Sequence, residues 1–133
     1  MNPISKATDI ALLLLRVVFG SFMIYGHGWG KLLRLFGDEP IQFADPFGLG
    51  APPSLALAVF AEVLCSLLII TGAFTRLATI PLLITMLVAA FIANAGSPFG
   101  DKELALVYLF AFATIAIAGP GWYSVDAQVR KKV

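Results

Sequence analysis

The sequence predicts an all-α fold, an integral membrane four-helix transmembrane bundle, because its 133 residues are 59% apolar, only 13% charged, and divided by glycine- and proline-rich breaks. A mean hydropathy of +0.91 is far above that of a soluble domain of this size. Each apolar stretch between breaks is close to the roughly 20 residues that a helix needs to cross a bilayer. The net charge of +1 provides no basic excess for nucleic acid, so the bilayer is the expected partner. A lone cysteine, Cys65, excludes intrachain disulfides, Cys-x-x-Cys chemistry and cysteine-ligated clusters.

The first span is expected over residues 9–28, with Ser5, Thr8 or Asp9 capping its start and Trp29 at its interfacial end. Its length, and the absence of a small-x-small cleavage site after it, make it a span and not a removed leader. Arg16 and His27 are eleven residues apart, a spacing that returns them to within about 20° of one helix face, with Gly20 on the same stripe. Residues 31–52 are too polar to span and too rich in Phe and Leu for free solution. This stretch reads as an interfacial loop, a cover or a lid at the bundle mouth, with residues 31–36 able to continue the first helix.

The second span runs over 53–72, opened by Pro53 and ended by Gly72. Glu62 sits near its middle, roughly 14 Å of helix from either end, where an unpaired carboxylate costs several kcal/mol. Counting depth from the ends of the apolar runs places Arg16 within about 5 Å of Glu62, so an Arg16–Glu62 pair is the expected polar core. The third span covers 75–95 and the fourth 103–119, stopped by Gly119-Pro120-Gly121. All four spans form one membrane domain over residues 1–133. Trp122 and Tyr123 belong at an interface, and Arg76 and Asp126 are expected to form a structural pair between the second turn and the tail.

Four spans put both termini on one side. That side carries Lys6, Arg76, Arg130, Lys131 and Lys132 against Lys31, Arg34 and Lys102 on the other, which places the termini in the cytoplasm and the long loop outside. At the outer mouth His27, Lys31, Asn94 and Glu103 reach similar depth and form a candidate ligand vestibule. An imidazole and a carboxylate there suit proton exchange with a quinone or substrate oxygen. His27 is the single histidine, so no metal site is expected. Gly26–Lys31, GHGWGK, lacks the spacing and the Ser or Thr of a phosphate-binding loop. No serine–histidine–carboxylate set supports a hydrolase, and no catalytic residue is assigned.

The series Arg16, then Gly26-His27-Gly28-Trp29-Gly30-Lys31, Phe60-Ala61-Glu62, Gly72 to Ala78 and Gly119 to Asp126 resembles the DoxX family over nearly the whole chain. These are small four-span bacterial inner-membrane proteins related to the DoxD subunit of thiosulfate:quinone oxidoreductase, some associated with thiol-redox complexes. The resemblance carries family positions onto Arg16, His27, Glu62, Thr75 and Arg76. It implies an inner-membrane, quinone-interacting or accessory subunit of a redox system, with the cofactor unassigned and quinone the candidate, the electron-transferring centre on a redox-protein partner, and an oxidoreductase association. The alternatives are a small proton-coupled transporter, with Glu62 at mid-depth of a homo-oligomer, and a membrane assembly scaffold without catalysis.

Overall fold

The computed structural model describes residues 3–133, with side chains from Ser5 onward, and every regular element among them is helical. Apolar side chains are abundant and the breaks fall at glycine and proline, so the chain folds into long rods: α1 (3–35), α2 (51–71), α3 (75–93) and α4 (Phe99–Ala118), followed by a short α5 (Val125–Lys132). Ser5–Leu35, Ala51–Thr71 and Thr75–Ala93 are long and apolar enough to cross a membrane. α4 has the length, but Asp101, Lys102 and Glu103 in its first turns leave only its last fifteen residues free of charge. These helices make the chain a multi-pass membrane protein.

α1 starts earlier than the expected caps, so Ser5, Thr8 and Asp9 lie inside it. Asp9 instead accepts the Trp122 N–H at 2.9 Å, fastening the helix to the segment after α4. At its other end α1 runs on through Lys31 and Arg34, and the connecting loop is confined to 36–50. Each of the first three rods contains one π-helical turn: Ile24–Gly28 in α1, Phe60–Cys65 in α2 and Ala89–Ala93 in α3. Such turns add a residue to the local repeat and are common at functional sites.

The core lies between α1, α2, α3 and α4 and is built on Met23, Ile69, Leu82, Met86, Phe112 and Ile115, all closed to solvent or nearly so. Tyr108 stacks on Phe112 and meets the edges of Phe19 and His27, joining α4 to α1 through aromatic contacts. Large apolar side chains outside this core, such as Leu14, Phe22, Leu77 and Phe110, are exposed, as expected for surface that lipid covers. α2 ends at Gly72, whose left-handed φ of 75° lets the N–H groups of Gly72 and Ala73 return to the Leu68 carbonyl at 2.8 and 2.9 Å.

Candidate functional site

Two buried ionic groups organise the bundle, one at its Gly72 end and one at mid-depth of α2, and they do not meet. Arg16 is 1% exposed and spends its guanidinium on backbone carbonyls. Nε donates to Ile69 O at 3.1 Å, Nη2 to Ile70 O at 3.4 Å and to Tyr123 O at 2.9 Å, and Nη1 to Tyr123 O at 3.1 Å and to Pro120 O. The planar fork therefore binds the orphan carbonyls at the end of α2 to the segment after α4. Asp126 completes this knot on the neighbouring turn. It accepts the N–H groups of Phe74 and Thr75 at 2.8 and 2.9 Å, and its own N–H donates to Gly72 O at 2.9 Å. Burial pushes the Asp126 carboxyl up, but the Thr75 and Phe74 N–H donors and the Arg130 charge together hold it below the ordinary carboxylate range.

The expected Arg16–Glu62 pair is therefore replaced, and the register of α1 against α2 explains why. A Cβ on Gly20 would meet Ile70 and the Ser66 carbonyl, and one on Gly28 would meet the Glu62 carbonyl at 2.9 Å. Glu62 thus lies level with Gly28, twelve residues from Arg16, or about 18 Å along the helix, beyond the reach of an arginine side chain. Its partner is Lys31, whose Nζ lies 2.7 Å from both carboxylate oxygens. The Arg76–Asp126 pair is not formed either. Arg76 donates to Ala116 O at 3.2 Å and Ile117 O at 3.4 Å, capping α4, while Asp126 ties the same turn through backbone N–H groups.

The expected vestibule is likewise divided. Lys31 turns inward to Glu62, Asn94 Nδ2 bonds the Ala89 carbonyl of its own helix at 2.8 Å, Glu103 is exposed on α4, and His27 packs edge-on to Tyr108 with ring centroids 5.5 Å apart. Among the described residues no hydrogen bond or ion pair joins the four.

What replaces it is a cavity of about 420 Å³ between α2 and α3, beneath the 36–50 loop. The Lys31–Glu62 pair supplies its ionic end, while Ala58, Ala61, Val88 and Ala89 form apolar wall and Phe43 and Phe47 descend from the loop. The exposed side chains of Leu57, Phe60 and Ile84 line it too, so its rim lies on the lipid-facing surface. Small residues at 58, 61, 89 and 93 leave the space, and the π turns of α2 and α3 carry three of those four.

The loop above is anchored and does not float. Asp45 accepts the N–H groups of Leu49 and Gly50 at 2.8 and 2.9 Å and the Ser54 hydroxyl at 3.0 Å, bracing the start of α2. The Gly50 N–H foremost, with Ser54 and Leu49, holds the Asp45 carboxyl below its ordinary range. Phe43 lies 5.7 Å from Lys31 Nζ and 5.9 Å from the Arg34 guanidinium, and Arg34 also donates to Gln42 O.

The DoxX family model matches residues 11–95, which include Arg16, the Gly26–Lys31 segment, Glu62 and the whole cavity wall. The chain belongs to the DoxX family. It is similar, at 32% identity over 139 residues, to an uncharacterized protein of Haemophilus influenzae, covering 99% of this chain and all of that one. It is also similar to the inner membrane protein YqjF of Escherichia coli, at 28% identity over 131 residues, 96% of this chain and 98% of that protein. No solved structure matches it. Sequence reasoning on this DoxX chain singled out Glu62 and Lys31 separately; the signal that joins them is the glycine at 28, where helix contact fixes the register.

Proposed function

We propose that this DoxX protein is an inner-membrane subunit that binds a quinone-like lipophile in the cavity between α2 and α3, as an accessory component of a membrane redox system. The observation that carries the reading is an apolar cavity with a lipid-side rim and one ion pair at its end. Its volume of about 420 Å³ falls in the range of small-molecule sites, about 300–1,000 Å³. A lysine ammonium has three N–H donors. Two are spent on Glu62, and the third is available to a ligand carbonyl oxygen. Glu62 beside it is a carboxyl that can take up or release a proton as the ligand oxygen changes charge. In this reading a partner subunit supplies the electrons.

The test is lipid extraction of protein purified in mild detergent. Ubiquinone or menaquinone is expected near one per chain, reduced at least about ten-fold in Lys31→Met, and in Ala89→Leu, which fills the cavity and leaves the ion pair untouched. A well-folded protein that neither retains quinone nor takes it up on addition would refute the reading. One feature favours a proton-coupled carrier as the second reading: the Lys31–Glu62 pair shares no member with the Arg16 knot, so it can open while that end stays closed. Proton-driven flux in proteoliposomes that is lost in Glu62→Gln would favour it.

A further inference from the structure

A second concavity lies where α5 meets the end of α2, about ten residues, or roughly 15 Å, along α2 from Glu62. We infer that it seats the headgroup of an anionic phospholipid, independently of any ligand in the α2–α3 cavity. It has a volume of about 500 Å³ and is lined by Thr71, Tyr123, Val125, Gln128, Val129 and Lys132, among others. Its place at a membrane face follows from the fold. Gly72 joins two helices of spanning length, and the neighbouring Trp122 and Tyr123 rings are exposed, as interfacial aromatics are.

Charge selects the kind of headgroup. Of the three cations at the end of α5, Arg130 acts on Asp126, and Lys131 Nζ stands 3.7 Å above the Trp122 ring. Lys132 alone lines the groove, and no carboxylate lines it with it. Three of the carbonyls at the end of α2, which would otherwise repel an anion, are covered: Leu68 O by the N–H groups of Gly72 and Ala73, Ile69 O and Ile70 O by Arg16. Gln128 and Tyr123 add side chains able to donate to phosphate oxygens.

The apolar edge selects a lipid over a soluble phosphate. Val125 and Val129 of the groove wall stand one turn apart and are 45% and 56% exposed, while no residue of α5 is buried. A free phosphate would use none of this surface. A phospholipid uses all of it, with the valines at the acyl boundary and Lys132 at the phosphate.

Native mass spectrometry of the full chain in detergent tests the assignment, with phosphatidylglycerol and phosphatidylcholine of identical acyl chains as probes. Phosphatidylglycerol is expected to bind more tightly, and Lys132→Gln to weaken it about five-fold, with Lys6→Gln, outside the groove, leaving it unchanged. Equal binding of the two lipids, an unchanged affinity in Lys132→Gln, or displacement of phosphatidylglycerol by millimolar inorganic phosphate would overturn it. Because the substituted side chains are on the surface, loss of folding does not confuse the result.

Discussion

The assignment of Lys31, and not Arg16, as the ionic partner of Glu62 can be measured as a coupling energy. Lys31→Met leaves the Glu62 carboxylate, 1% exposed, without its ammonium, and the group must protonate or bury a bare charge. Glu62→Met is milder, because the Lys31 side chain is 24% exposed and can turn its ammonium to water. The double variant presents two apolar side chains of similar length to each other. Charge-assisted hydrogen bonds are worth about 1.5–3 kcal/mol, and the partial exposure of Lys31 screens them, so a Lys31–Glu62 coupling of about 2 kcal/mol is expected. Arg16 and Glu62 stand about 18 Å apart along the helix pair with no common partner, so the Arg16→Met and Glu62→Met effects should add within about 0.5 kcal/mol. Reversible unfolding from mixed micelles, followed by circular dichroism, gives both cycles. A coupling above about 1 kcal/mol for Arg16 with Glu62, or below about 0.5 kcal/mol for Lys31 with Glu62, would refute the partner assignment.

Two further outcomes follow from the same contacts. Gly28→Ala sets a methyl 2.8 Å from Val63 Cγ2 and 2.9 Å from the Glu62 carbonyl, so it should cost about 1–3 kcal/mol and loosen Lys31 from Glu62, whereas Gly30→Ala, with nothing within 4 Å, should gain up to about 1 kcal/mol in the same unfolding assay. Asp126 has a folded pKa below its unfolded value of about 3.9, so its stabilisation is complete above that value and is lost as pH falls through the folded pKa; protection of the Phe74 and Thr75 amides, taken relative to their intrinsic exchange rates, should therefore fall as the carboxyl protonates, and Asp126→Asn should abolish the step.

Composition and breaks made the helical membrane architecture legible, since apolar runs between Gly, Pro and charged breaks leave a helix as the satisfied backbone. The importance of Arg16 and Glu62 was legible for a related reason: ionic groups inside apolar runs must be satisfied, and both are nearly closed to solvent. Their partners were not. The ends of the apolar runs set a hydropathy register, but α1 starts at Pro3 and continues through Lys31, so its contact register differs from it. The knot around Arg16 was hidden for another reason, because its acceptors are main-chain carbonyls, which every residue has and no side-chain pattern marks. The π turns leave no local signature either. Only the small residues they carry, Ala61, Ala89 and Ala93, hint at the space beside them.

The three π turns distribute slack unevenly along the molecule. Near Arg16, main-chain carbonyls of two segments converge on one planar cation, and any rotation of α1 there breaks several bonds together. Around Glu62, α1, α2 and α3 each have a wide turn, in which the backbone ladder departs from the regular i to i−4 pattern. The bundle is accordingly a vice with one jaw end riveted. The space between α2 and α3 is bordered by the wide turns of both helices, while the Arg16 contacts tie the rods together at the Gly72 end.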